Sequence, residues 1–126
     1  MANIVLIEDN IDLREMLTES LTASGHNVWA ARDARTGVNH CEHSAPDLVV
    51  TDLMVPNSED LDRLEALRQT AAVFQVVVIS GALDSPESAE RAARLAGTNV
   101  LAKPFRAREL VRLAEELLAS SVIPAG

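Results

Sequence analysis

The chain has a single cysteine, Cys41, which excludes an internal disulfide and fits a reducing compartment. It has no uninterrupted apolar stretch of membrane-spanning length, and no basic segment followed by an apolar one at its N-terminus. Nothing in these residues directs membrane insertion or secretion, and a cytoplasmic protein is the expectation. Positive charge is also scarce: 11 Lys and Arg stand against 19 Asp and Glu, for a formal net charge of -8. Such a surface repels nucleic acid phosphates, so no direct nucleic acid binding is expected, while basic or phosphorylated protein partners remain open. Internal repeats, low-complexity segments and internal linkers are absent too.

What is present is enough for one domain. A chain of 126 residues buries a respectable core, and 48% hydrophobic with 24% charged residues argues against disorder. Apolar runs rich in Val, Ile and Leu recur at 3 to 7 (NIVLI), 27 to 31 (NVWAA), 47 to 51 (DLVVT), 74 to 79 (FQVVVI) and 99 to 102 (NVLA), and read as five strands. Most lack the alternation of a strand with one wet face, which predicts burial on both faces of a parallel sheet.

Helical spacing fills the intervals. Leu13, Met16, Leu17 and Leu21 mark helix one, with Gly25 placed to close it. A second helix is expected around Asp33 to His43, and Leu61, Leu64 and Leu67 mark a third. Ser85 and Pro86 form an N-cap and first helical position for helix four, with Gly97 as its stop. Leu110, Val111, Leu113, Leu117 and Leu118 mark the fifth. Five βα units imply an α/β fold: a doubly wound five-stranded parallel sheet with five helices on its two faces. The domain is expected over 1–120, with 121–126 as a C-terminal tail.

In open α/β sheets ligands bind beyond the carboxyl ends of the strands. Polar residues gather there: Glu8 and Asp9 end strand one, Asp52 strand three, Ser80 strand four and Lys103 strand five. Three carboxylates at one edge repel one another unless a proton is retained or a cation enters. An all-oxygen set with room for water and phosphate suits Mg²⁺ better than zinc. A carboxylate beside Mg²⁺ and a lysine can attack a phosphoryl group to give an aspartyl phosphate, and Asp52 is the natural nucleophile. Lys103 would offset the charge of the phosphoryl oxygens, and Ser80 would donate a hydrogen bond to one of them.

Over essentially its whole length the chain resembles the receiver domain of two-component response regulators. The matching elements are Glu8-Asp9, Asp52 in D-L-M-V-P, Ser80 before the small Gly81, and Lys103-Pro104-Phe105. The resemblance implies a flavodoxin-like strand order 2-1-3-4-5. It implies Mg²⁺ held by Asp9, Asp52 and the Met54 backbone carbonyl, with Glu8 acting through water, and a cis Lys103-Pro104 peptide. It further implies phosphoryl transfer onto Asp52 from a phosphohistidine of a sensor histidine kinase or histidine phosphotransfer protein. The consequence would be an altered surface for a downstream protein partner or output domain. Such a protein is a switch and no enzyme beyond its own phosphorylation and dephosphorylation; no other cofactor and no membrane contact are implied.

Several residues depart from the family. Val100 stands where an aromatic switch residue is usual, so any signal is expected to pass through Ser80 and its loop or through helix four. Asp60 stands where a glycine is frequent; with Glu59 and Asp62 it is read as complementing a helix N-terminus. Helix four offers Ala89, Ala92, Ala93 and Ala96 with Leu95 as its one large apolar residue, which predicts loose docking. Arg91, Arg94, Arg106, Arg108 and Arg112 give the helix four, strand five and helix five face a charged surface for a homodimer or a partner. His40, Cys41 and His43 are read as helix residues without a metal, Trp29 as packing and His26 as a turn residue.

Two rival readings belong beside this one. A receiver-like scaffold could bind partners independently of phosphorylation, in keeping with Val100 and Asp60. A Mg²⁺-dependent small-molecule phosphatase would need an acid near the nucleophile, but Met54 occupies the position two residues after Asp52.

Overall fold

The Val- and Ile-rich runs pair as strands in the computed structural model, which describes residues 2–52, 58–70, 74–81, 85–97 and 99–121. β1 (Asn3–Ile7), β2 (Asn27–Ala31), β3 (Leu48–Asp52), β4 (Gln75–Ser80) and β5 (Val100–Ala102) form one sheet in the order β2-β1-β3-β4-β5. Every pairing is parallel. Between and after them run α1 (Ile11–Ala23), α2 (Ala34–His43), α3 (Ser58–Thr70), α4 (Pro86–Ala96) and α5 (Ala107–Ser121). This is the doubly wound order 2-1-3-4-5 of the flavodoxin-like class. Residues 122–126 of the expected tail lie outside the described residues.

Strand pleat divides the core in two, because successive side chains point to opposite faces. Val5, Ile7, Val49, Val76 and Val78 face α2, α3 and α4, where they meet Val38, Leu61, Leu64 and Leu95. Ile4, Leu6, Leu48, Val50, Val77 and Ile79 face α1 and α5, against Leu17, Leu21, Leu110 and Ala114. Each such side chain contributes about 1.5–3 kcal/mol by leaving water. The two layers explain why β1, β3 and β4 read as near-continuous apolar runs.

Burial on both faces does not extend to β2. Only Ala31 of that strand is buried, and Trp29 remains 38% exposed. The reason is position, since β2 is an edge strand with β1 as its one neighbour. Two strands also start one residue later than expected and run one further, to Asp52 and Ser80, because those polar residues continue the pairing, opposite Ile79 and Ala102 respectively.

Local capping follows side-chain chemistry. Asn10, Asp33 and Ser85 precede α1, α2 and α4, and each accepts a hydrogen bond from the backbone N–H three residues on. Gly25 and Gly97 take positive φ, 97° and 61°, at the ends of α1 and α4 as expected of stop residues. Among the described residues no helix is long and apolar enough to cross a membrane.

Candidate functional site

Each polar residue at the carboxyl edge is placed by backbone. The Glu8 N–H donates to the Ala31 carbonyl at 3.0 Å, carrying Glu8 past the end of β1. The Lys103 N–H donates to the Ser80 carbonyl at 2.8 Å, which sets the lysine one residue beyond β5. Asp52 and Ser80 are the last residues of their strands, and both are fully buried. The Lys103-Pro104 peptide is cis, as the resemblance implied.

The side chains then converge. Lys103 Nζ donates to Glu8 Oε1 at 3.0 Å and to Asp52 Oδ2, bridging two buried carboxylates. Ligand oxygens of Glu8, Asp9 and Asp52 lie within 4.8 Å of one another, Asp9 being exposed and the other two buried. Asn10 ties the turn together: its N–H donates to Glu8 Oε2 at 3.0 Å while its side chain caps α1. Arg14 Nη1 donates to the Glu8 carbonyl at 2.9 Å from the next turn of the helix.

Electrostatics follow from burial. Desolvation pushes the Glu8 carboxyl up from 4.5 to about 7, helped by the Asp52 charge and opposed by the hydrogen bonds from Asn10 and Lys103. For Lys103, burial pulls the ammonium down, but its hydrogen bonds to Asp52 and Glu8 outweigh this and raise it. The lysine is therefore a fixed positive charge inside an acidic cluster. Three carboxylates with no His or Cys form an oxygen-only set that fits a hard divalent cation such as Mg²⁺. Met54, expected to add a backbone carbonyl, lies outside the described residues.

The other singled-out residues go elsewhere. His40 stacks on Trp29 with ring centroids 3.9 Å apart, His43 Nδ1 bonds the Asn39 carbonyl, and Cys41 is in the core. Burial, with the Glu42 charge adding to it, pushes the Cys41 thiol up to about 11, which makes it a poor nucleophile. Val100 packs half-buried against the cluster shared with Leu95.

Two residues do more than sequence reasoning assigned them. Asp60 is buried and pairs through Oδ1 with Arg63 at 2.9 Å, so it anchors a bridge and is more than a complement to a helix end. Arg63 also reaches Asn39 and Glu42 on α2, at 2.8 Å each. His26 is buried, not a simple turn residue: its Nδ1 accepts from the Ala2 N–H at 3.3 Å and its Nε2 lies 2.9 Å from Glu115 Oε1 on α5. The His26 partner is 89 residues away, which no local signal reveals.

Known proteins resemble this chain in sequence and in fold. The response regulator receiver domain model matches residues 4–115. The chain is 33% identical over 123 residues to the Escherichia coli transcriptional regulatory protein CpxR, covering 96% of this chain and 51% of that one. It is 30% identical to the Azospirillum brasilense DNA-binding transcriptional regulator NtrC, covering 98% of this chain and 26% of the relative. The chain thus spans about half or less of these relatives. Among solved structures, a CheY-like receiver domain protein from Methanospirillum hungatei superposes with a TM-score of 0.85 at 20% identity, covering 96% of each chain. That likeness is one of fold, and the family match carries the rest: the chain belongs to the response regulator receiver domains of two-component systems.

Proposed function

We propose that this receiver takes a phosphoryl group onto Asp52 from a phosphohistidine of a sensor kinase or phosphotransfer protein and thereby switches its interaction surface. The observation that carries the reading is the Lys103 ammonium bridging Glu8 and Asp52, with Asp9 beside them at the open edge. An Asp52 carboxylate oxygen forms the new bond to phosphorus as the bond to the imidazole nitrogen breaks and the imidazole leaves. Lys103, already within reach of Asp52, turns to an oxygen of the incoming group, and the Ser80 hydroxyl donates to another. Glu8, Asp9, Asp52 and the Met54 carbonyl would hold Mg²⁺, which when bound offsets negative charge on the phosphoryl oxygens. Hydrolysis of the acyl phosphate returns Asp52 to its carboxylate and releases inorganic phosphate.

The domain is read as 1–120, working in the cytoplasm, in keeping with the free buried thiol of Cys41. Readout falls to the face of α4, β5 and α5, by a second copy, a separate protein or an output domain of the kind the relatives' names as transcriptional regulators suggest. Intact-mass analysis after incubation with Mg²⁺ and acetyl phosphate tests the chemistry, beside Asp52→Asn and a chelator control. A metal-dependent gain of one phosphoryl group, absent from the variant, is expected. No gain, with phosphorylated donor proteins as well as acetyl phosphate, would replace this reading with a phosphorylation-independent scaffold.

A further inference from the structure

Positive charge is scarce in this chain, yet three arginines gather around one cleft at the start of α5. Arg106, Arg108 and Arg112, with Glu109, line an open cavity of about 570 Å³. Arg108 and Arg112 are one helical turn apart and so share a face. All three are exposed. Among the described residues the arginine ion pairs are made by Arg32, Arg63, Arg91 and Arg94, and none by these three. Glu109 offsets one of the three charges and leaves the lining with a net charge of about +2, while its Oε1 is tied to the Arg106 backbone N–H at 3.1 Å.

We propose that this cleft is a docking site for a short acidic segment of a partner protein, read by two or three carboxylates through the forked guanidinium donors. Several alternatives fit less well. Among the described residues the lining is all charged, with no aromatic or apolar side chain on which a nucleobase would stack. The net charge of -8 opposes a long polyanion such as nucleic acid while leaving a local positive island for a short one. Planar guanidiniums on one helix face match carboxylates bidentately, as point-charge lysines would not. The proposal rests on the reading that the face of α4, β5 and α5 is the readout surface, while its test at Arg108 and Arg112 leaves phosphoryl transfer to Asp52 untouched, so the two can fail separately.

The test uses a fluorescein-labelled hexaglutamate peptide and the intact chain, with anisotropy read at low and physiological salt. Binding that weakens with salt is expected, with a loss of at least tenfold in affinity for Arg108→Glu/Arg112→Glu. Arg108→Glu alone is expected to lose about threefold or more, whereas Arg35→Glu, the same two-unit charge change at an exposed residue of α2, is expected to bind within about twofold of the parent. Circular dichroism of both variants confirms folding, and Arg108→Gln/Arg112→Gln gives a milder second variant. Absence of binding, equal loss in Arg35→Glu, or binding of inorganic phosphate as tight as that of the peptide would overturn the proposal. So would a parent dimer that sedimentation shows to dissociate on reversing Arg108 and Arg112, because the arginines would then serve self-association.

Discussion

Glu8→Gln should stabilise the metal-free protein at alkaline pH and leave it little changed in mild acid. Glu8 is wholly buried, and burial lifts its carboxyl from 4.5 to about 7. At about 1.4 kcal/mol per pH unit, the displacement corresponds to roughly 3 kcal/mol. Its sign follows from proton counting. Between the two values the folded chain holds a proton that the unfolded chain has released, so stability falls as pH rises from 4.5 through about 7 and the full cost is present above it. Gln does not ionise and removes the slope, but its single carbonyl oxygen can accept from Lys103 or from the Asn10 N–H and not from both, so a charge-assisted hydrogen bond of about 1.5 kcal/mol is lost. The net expectation is that the variant gains about 1–2 kcal/mol over the parent at pH 8 in chelator, with the gap closing toward pH 5. Urea unfolding followed by circular dichroism across that range measures it, and the difference between the two proteins cancels the histidines and other carboxylates they share. Saturating Mg²⁺ should reverse the order at pH 8, since a cation at a hundred times its Kd adds about 2.7 kcal/mol to the parent alone. A parent-variant difference that is flat with pH in chelator, or a variant that is less stable at pH 8, would refute the reasoning.

Other consequences are more local. A Cβ at Gly37 would fall 2.4 Å from Ile7 Cγ1 and 2.5 Å from Cδ1, so α2 can sit this close to β1 only over a glycine. Gly37→Ala should cost about 1–2 kcal/mol in thermal unfolding despite better helix propensity, and adding Ile7→Val should recover part of it. Arg63→Ala should cost about 2 kcal/mol, because it strands the buried Asp60 carboxylate, and combining it with Asp60→Ala should cost less than the sum of the two in a urea double-mutant cycle. Asp33→Ala should cost about 1 kcal/mol at neutral pH through loss of the α2 cap. The Thr36 N–H holds the Asp33 carboxyl below its usual 3.8, so this contribution is present above 3.8 and disappears as pH falls through the depressed value.

The central strands and the site were legible because both are written in local pattern. Runs such as Val76–Ile79 leave no wet face, and a strand that is dry on both sides needs helices on both sides. Parallel strands all end at one edge, so Glu8, Asp9, Asp52 and Lys103, each following an apolar run, had to arrive together. What sequence could not show was pairing across the fold. The bridge from Arg63 to Asn39 and Glu42 joins residues 24 and 21 positions apart, and its geometry depends on how α2 and α3 lie. Exposure of β2 escaped for a related reason: an edge strand and a central one share the same apolar composition, and only the strand order distinguishes them. Asp60, read as a surface complement to a helix end, turns inward because Arg63 one helical turn later supplies its counter-charge.

Trp29 is the one tryptophan of the chain, and it lies flat against the His40 imidazole at an interplanar angle of 3°. That stack gives the molecule a built-in optical label whose emission depends on contact between α2 and the outermost strand. Loss of that contact in denaturant changes the surroundings of the indole and with them its emission. Asp52 sits on β3, two strands inward. The fluorescence of this chain therefore watches the sheet edge, and a bright or dim signal there follows fraying of β2 while chemistry at the carboxylates proceeds out of its view.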